Sequence, residues 1–465
     1  MEKSLRFILK YLLVFLFFFI PFREVIAYYT VDYIKFIPDA LIWSLLLFVI
    51  IKNKFKLNLK SYDYFYIGFI IVGFISTLIN DISVMAFAMQ VRSIGTLYVL
   101  FYILRNIFME YKDYIPAVKT LNLVTITFVL LSLIEIISNK SILFPLEWAK
   151  GISFASNYYR AYSLLFNPNV YGAFLLFVII INYYCEMTSN KKIKLNYLIY
   201  LLGYLGIFLS SSRSTFLGCI LFILFLIYNS IREKKFKSLF IHILLGIVAF
   251  GLSCGVFVLR NKLEIKAPEG TIINKIPDID NDPDVPVVDP TKPTKPSKPS
   301  KPNKNGNNNL IGRFEEVING TTKEDSEQNG RIFIIKKGLE IFKNNYVIGT
   351  GFGTFGSAGS KMVTPTKLYE KYGLYEGFYS DNEYIKVVVE TGALGVLTFG
   401  SFILLLFISI LKSRYAVILF LIYWYLGMFY NITETQVVTL LFYIGLVFLS
   451  MNNKKEVKER KEDAI

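Results

Sequence analysis

Twelve runs of apolar residues divide this chain, at about 7–22, 34–51, 63–80, 86–104, 118–138, 168–185, 196–210, 214–230, 239–259, 387–411, 415–431 and 435–451. Most approach the roughly 20 residues that an α-helix needs to cross a hydrocarbon layer about 30 Å thick. No water inside a bilayer can satisfy backbone N–H and C=O groups, so runs of this kind fold as helices. The chain therefore reads as an all-α polytopic membrane protein with about 12 transmembrane helices. Composition agrees: 465 residues that are 54% hydrophobic and 18% charged carry more apolar surface than a soluble core can hide. The first run follows Lys3, Arg6 and Lys10 as a signal peptide would. Pro21-Phe-Arg-Glu-Val-Ile then offers no small-residue cleavage site, and the run is kept as a span.

Basic residues set the orientation, because Lys and Arg stay on the cytoplasmic side of short loops. With the N-terminus inside, the inner segments hold Lys52, Lys54, Lys56 and Lys60, then Arg105, Lys112 and Lys119, then Lys191, Lys192 and Lys194, then Arg232, Lys234, Lys235 and Lys237, then Lys412 and Arg414. The basic tail, 452–465, is also inside. The short outer loops carry only Arg23, Lys35, Lys140, Lys150, Arg160 and Arg213. Both termini are thus expected on the cytoplasmic side of the membrane. Much of the net charge of +15 is topological and is no nucleic-acid footprint. Cys185, Cys219 and Cys254 all fall inside expected spans, which leaves no disulfide framework and no cysteine metal site.

The expected organisation is a membrane domain over 1–259 (helices 1–9), an extracytoplasmic loop over 260–386, and a second membrane portion over 387–451 (helices 10–12). Inside the loop, Lys292, Lys295, Lys298, Lys301 and Lys304 recur at a spacing of three among prolines, so about 277–309 reads as a disordered, extended insertion. Further on, Ile332, Ile335, Leu339 and Phe342 share one face of an amphipathic helix expected at about 331–345, with Asn329 in N-cap position.

Gly351-Phe-Gly353-Thr-Phe-Gly356 follows that helix and matches the G-x-G-x-x-G of nucleotide-binding turns. A dinucleotide fingerprint needs a preceding buried strand and a following helix, and neither period is present. The expectation is a turn whose glycines supply positive φ and close packing against the membrane domain.

Arginines at the membrane edge are costly unless they meet an anion. Arg213 in "FLSSSRSTFLG", Arg160 before "AYSLLFNPNVYGAF", Arg331 at the start of the amphipathic helix and Arg92 in "MQVRSIG" are four such residues. Converging on one face they would make a phosphate or diphosphate site, whereas singly each reads as an ion pair or cap. The sole histidine, His242, lies near the cytoplasmic start of the ninth span and reads as structural, so candidate bases are carboxylates. Asp381 and Glu383 sit where the outer loop enters the tenth span, and Glu390 lies two turns on, near the face of Glu383 and Lys386. Asp381 is equally a candidate N-cap for that span. No Ser-His-Asp set or His/Cys metal set can assemble outside; a carboxylate-held Mg²⁺ or Ca²⁺ stays open.

Five stretches in order, "RAYSLLFNPNVYGAF", "SSSRSTFLG", "NGR", "NNYVIGTGFGTFG" and "DNEYIKVVVETGALG", resemble the O-antigen ligase and polysaccharide polymerase superfamily of bacterial envelope proteins. The likeness runs over about residues 150–450. It implies a membrane-embedded glycosyltransferase that needs no metal or other cofactor and takes its donor glycan from undecaprenyl diphosphate at the outer leaflet. By the resemblance, Arg213 and Arg331 hold the diphosphate; Asp381, among the candidate bases, is then expected to take the acceptor proton. Arg160, Arg92, Asn382, Glu383 and Glu390 fall into supporting contacts with the substrate. Ligases of the family carry His-Asn where this chain has Asp381-Asn382, and the aspartate is similar to what many polymerases show. A polymerase of a capsule or wall polysaccharide is therefore the expected function. The Asn-, Lys-, Ile- and Phe-rich composition suits a low-GC Gram-positive source. A chain-length regulator is left open as a partner, beside the lipid-linked oligosaccharide and membrane lipid.

Its rivals are a ligase that moves finished polymer to a wall or lipid acceptor, a peptidoglycan polymerase of the rod-shape type, a lipid-linked oligosaccharide flippase or other transporter, and a non-catalytic receptor or assembly protein. A transporter would place ionisable residues at the midplane, whereas here they gather at one edge.

Overall fold

The computed structural model describes residues 2–54, 56–142, 147, 158–188, 194–269, 271, 331–375 and 377–451. The Lys/Pro insertion, Asn329, Lys150 and the basic tail lie outside the described residues. Among the described residues every regular element is helical. The membrane-length helices are α1 (Glu2–Tyr29), α2 (Ile37–Lys52), α3 (Ser61–Ile79), α4 (Val84–Asn106), α5 (Tyr111–Ile137) and α6 (Pro168–Thr188), then α8 (Arg213–Glu233) and α9 (Lys237–Leu263), and finally α13 (Glu383–Ile410). With the short 3-10 turn that precedes α2, these make nine segments long and apolar enough to cross a membrane.

Three of the twelve apolar runs form shorter helices: α7 (Lys194–Ser210), α14 (Arg414–Leu426) and α15 (Gln436–Leu449). The 13 residues of α14 rise only about 20 Å. Its apolar run was expected to continue to about 431, but from Gly427 the chain leaves the helix. It then passes through an irregular stretch that includes the 3-10 turn Ile432–Glu434 before α15 begins. Non-helical backbone at such a depth needs partners in the protein. Gly427, Asn431, Ile432 and Thr433 are buried accordingly.

α6 occupies the centre. Its run Tyr171–Cys185 is buried on every side, as expected of a helix that is apolar all round. α7 and α15 pack against α6, α13 lies along α3, and α5 is flanked by α1 and α7. A separate small core, including Ile334, Ile341, Phe355, Tyr369, Phe378 and Val389, seats the first and last of three further helices on the end of α13, and the middle one packs against α4. These are α10 (Arg331–Asn344), α11 (Ala358–Met362) and α12 (Thr366–Tyr372).

Candidate active site

α13 is broken where it matters most. At Gly392 the backbone turns to φ 61°, ψ −161°, a conformation essentially confined to glycine. Two intrahelical bonds are lost, and the chain after α10 replaces both. Thr350 N–H donates to the Val389 carbonyl and Gly351 N–H to that of Glu390, each at 2.9 Å, while Ala393 and Leu394 donate to Tyr346 and Val347 at 2.8 and 3.1 Å. The glycine-rich stretch is therefore folded into the break. Its glycines 349, 351, 353 and 356 all have positive φ. A Cβ at Gly356 would lie 2.4 Å from the Ser380 nitrogen, so the loop is pressed against the segment that carries Asp381. Glu390 ties the same loop down, accepting from Thr354 and Phe355 N–H at 2.9 and 3.0 Å.

Asn382, rather than Asp381, caps α13. Its Oδ1 accepts from Tyr384 and Ile385 N–H at 3.1 and 3.0 Å. Asp381 sits one residue earlier in a left-handed conformation, φ 43°. Burial pushes its carboxyl above the usual carboxylate range, and the Arg331 and Lys361 cations pull it back. Burial likewise lowers the Arg331 guanidinium, with Asp381 opposing that shift and Arg213 adding to it. Arg331, Asp381, Arg213 and Lys361 thus share one electrostatic neighbourhood. Arg331 donates to the Phe429 carbonyl at 3.2 Å and stacks over that ring at 5.1 Å, and its buried Nε has no hydrogen-bond partner among the described residues. Lys361 lies over the Tyr379 ring at 4.2 Å.

Arg213 opens α8 directly after Ser212, whose side chain accepts from Thr215 N–H at the N-cap. Arg160 supports that turn: its Nε donates to the Ser210 carbonyl at 2.9 Å, and its Nη2 to Asn169 Oδ1 at 2.7 Å. Ser212 Oγ donates to the same Asn169 oxygen at 2.9 Å. A buried Lys140–Glu135 ion pair holds the loop from beneath, with Lys140 donating to the Arg160 carbonyl at 3.0 Å and Glu135 accepting from Ser163 N–H at 2.7 Å. Arg92 is engaged elsewhere, with Asp39 at 2.9 Å and the Phe36 ring at 4.1 Å.

Glu383 and Glu390 face inward. Glu383 accepts from the Thr433 N–H and hydroxyl at 3.1 and 2.8 Å. Lys386 bridges Glu383 and Glu434, at 2.8 Å to each. The cavity among Gln90, Glu383, Lys386 and Glu390 is about 10 Å³, room for no more than one water. Among the described residues no three His, Cys, Asp or Glu side chains are grouped to hold a metal ion. Sequence reasoning missed Lys361, Glu135 and Glu434. Glu434 carried a signal, since a lone carboxylate between two apolar runs calls for a cation, and Lys386 is an ionisable residue at the start of another run.

The fold and this site define a class: a multi-pass membrane protein with cations and a buried carboxyl gathered where several helices end. More particularly, the model of the O-antigen ligase family matches residues 198–400 of this chain. That family comprises polymerases and ligases that transfer glycans, with lipid-linked glycans as the general substrate class. The match contains Arg213, Arg331, Asp381, Asn382, Glu383 and Glu390, and leaves Arg92, Arg160 and Glu434 outside. The exopolysaccharide production protein ExoQ of Rhizobium meliloti (strain 1021) is 28% identical over 99 residues, 21% of this chain and 22% of that protein. The chain thus matches under a quarter of this curated relative's length.

Proposed function

We propose that this chain is a polymerase of a cell-surface polysaccharide, joining undecaprenyl-diphosphate-linked repeat units on the outer face of a bacterial cytoplasmic membrane. The observation that carries the reading is the shared neighbourhood of Arg331, Arg213 and Asp381. In the reaction, a hydroxyl of the acceptor sugar attacks the anomeric carbon of the donor and the bond to the diphosphate oxygen breaks. Asp381 takes the hydroxyl proton. Arg331 and Arg213 meet the charge that builds on the leaving diphosphate, and in a partly dry site fixed cations are most effective. Asn382 fixes the end of α13 and so the reach of Asp381. Arg160 holds the Ser-rich turn that presents Arg213.

A ligase that transfers finished polymer is the second reading, favoured by the matched family's own description. Carrier-bound glycans separate the two. A strain lacking the protein accumulates lipid-linked single repeats if it is a polymerase and lipid-linked long chains if it is a ligase. Asp381→Asn, expressed at wild-type level in that strain, should restore about a hundredth or less of the polymer. Full restoration of amount and length would remove Asp381 from the mechanism.

A further inference from the structure

The stretch Gly427–Thr435, beyond the family-matched region, meets the start of α10, the glycine loop and the start of α13. Its Gly427 carbonyl accepts from Glu383 N–H at 2.9 Å and its Met428 carbonyl from Asn382 Nδ2 at 3.1 Å. The Phe429 carbonyl accepts from Arg331. Asn431 donates to the Gly356 carbonyl at 3.0 Å and accepts from Ser380 Oγ at 2.8 Å, which joins the glycine loop to the residue before Asp381. Glu434 closes the far end: one oxygen accepts from Gln90 and Lys386 at 2.8 Å each, the other from Ala358 N–H at 2.9 Å.

From this geometry we infer that Gly427–Thr435 is the positioning element of the site and that Glu434 is its anchor, setting Arg331 and Asp381 against one another. The inference rests on the glycosyltransferase reading for its consequence, though the coupling itself is a property of the fold. Two consecutive carbonyls hold the N-cap side chain of α13 and the guanidinium of α10, so a shift of this stretch moves both catalytic groups at once. Glu434 is the point where such a shift is resisted. It is tied to α4 through Gln90, to α11 through Ala358 and to α13 through Lys386.

The test uses the full chain in lipid nanodiscs, with hydrogen exchange read peptide by peptide. Glu434→Gln removes the charge that faces Lys386 while keeping the side chain's size. Exchange should become about tenfold faster in peptides covering 331–344 and 379–386 and stay unchanged in α6. In cells the polymer made per molecule of protein should fall about tenfold or more, as small misplacements of reacting groups do. A merely structural role would speed exchange throughout the bundle. That result or unchanged exchange in the two peptides would overturn the inference, as would undiminished polymer where the knockout has accumulated carrier-linked repeats. Should Glu434→Gln fail to accumulate, Thr433→Val, which deletes only the hydroxyl that meets Glu383, is judged by the same criteria. Exchange needs no substrate, so it decides the coupling even if a knockout without carrier-linked repeats has sunk the polymerase reading.

Discussion

Two neighbouring side chains divide the work at the head of α13. Asn382 satisfies the helix end, which leaves the Asp381 carboxyl out of the cap and in the company of Arg331 and Lys361. A carboxyl raised by burial is protonated further into the neutral direction than a free one, and only its ionised form accepts a proton. Polymer extension measured against pH should therefore lose rate on the acid side at a pH above the ordinary carboxylate range. Lys361→Gln removes one of the cations that lowers the Asp381 pKa, so that limb should move to higher pH; an unmoved limb would detach Lys361 from the site. Stability follows the opposite sign. With the folded pKa raised, the stability that Asp381 contributes is fully present below its unfolded pKa and is lost as pH rises through the folded value. Thermal melting at neutral pH should then find Asp381→Asn at least as stable as the wild type.

At the scale of elements, the break in α13 and the loop that fills it are one structure. Gly392→Ala would place a Cβ 2.5 Å from the Gly349 nitrogen in a backbone conformation closed to alanine, and should cost about 3 kcal/mol or more. Gly373 also has positive φ but open space around it, so Gly373→Ala should cost only about 1 kcal/mol. Comparing the melting of the two variants sets the closed conformation and tight packing of the break against an open left-handed turn. The positions of the apolar runs were legible in the sequence because hydrophobic length is a local property. So was the conformational role of the glycines, since Gly351, Gly353 and Gly356 all take positive φ. The break was not, because "VVVETGALG" continues a helical pattern and the groups that satisfy the interruption, the carbonyls of Tyr346 and Val347 and the N–H groups of Thr350 and Gly351, lie far off in sequence. Nor was the reach of Gly427–Thr435 visible: apolar residues on both sides of it continued two spans almost to contact. Among the candidate arginines, Arg160 and Arg92 could be placed at an edge but not assigned partners, since Ser210, Asn169 and Asp39 meet them only in three dimensions.

For the whole molecule, sidedness turns on whether α14 and α15 both traverse it despite their length. Ser413, at the start of α14, donates to the carbonyl of Leu449, at the end of α15, at 2.6 Å, while the other ends of both helices meet the site through Gly427–Thr435. The two form an antiparallel pair that runs from one end of the bundle to the other, with the irregular stretch making up the length that about 20 Å of helix lacks. If both count as crossings, the distribution of Lys and Arg puts the site outside, as proposed above, and Lys112 inside. Single new cysteines test this. Cys185 is buried, and Cys219 and Cys254 are half-buried within α8 and α9, so the native background should be low. Met362, 61% exposed on α11 beside the site, as Met362→Cys should react with a membrane-impermeant maleimide in intact cells. Lys112, at the start of α5 with its side chain 75% exposed, as Lys112→Cys should react only after the membrane is permeabilised. The reverse pattern would turn the bundle over and put the site in the cytoplasm. A lipid carrier presented at the outer leaflet could not then reach Arg331 and Asp381.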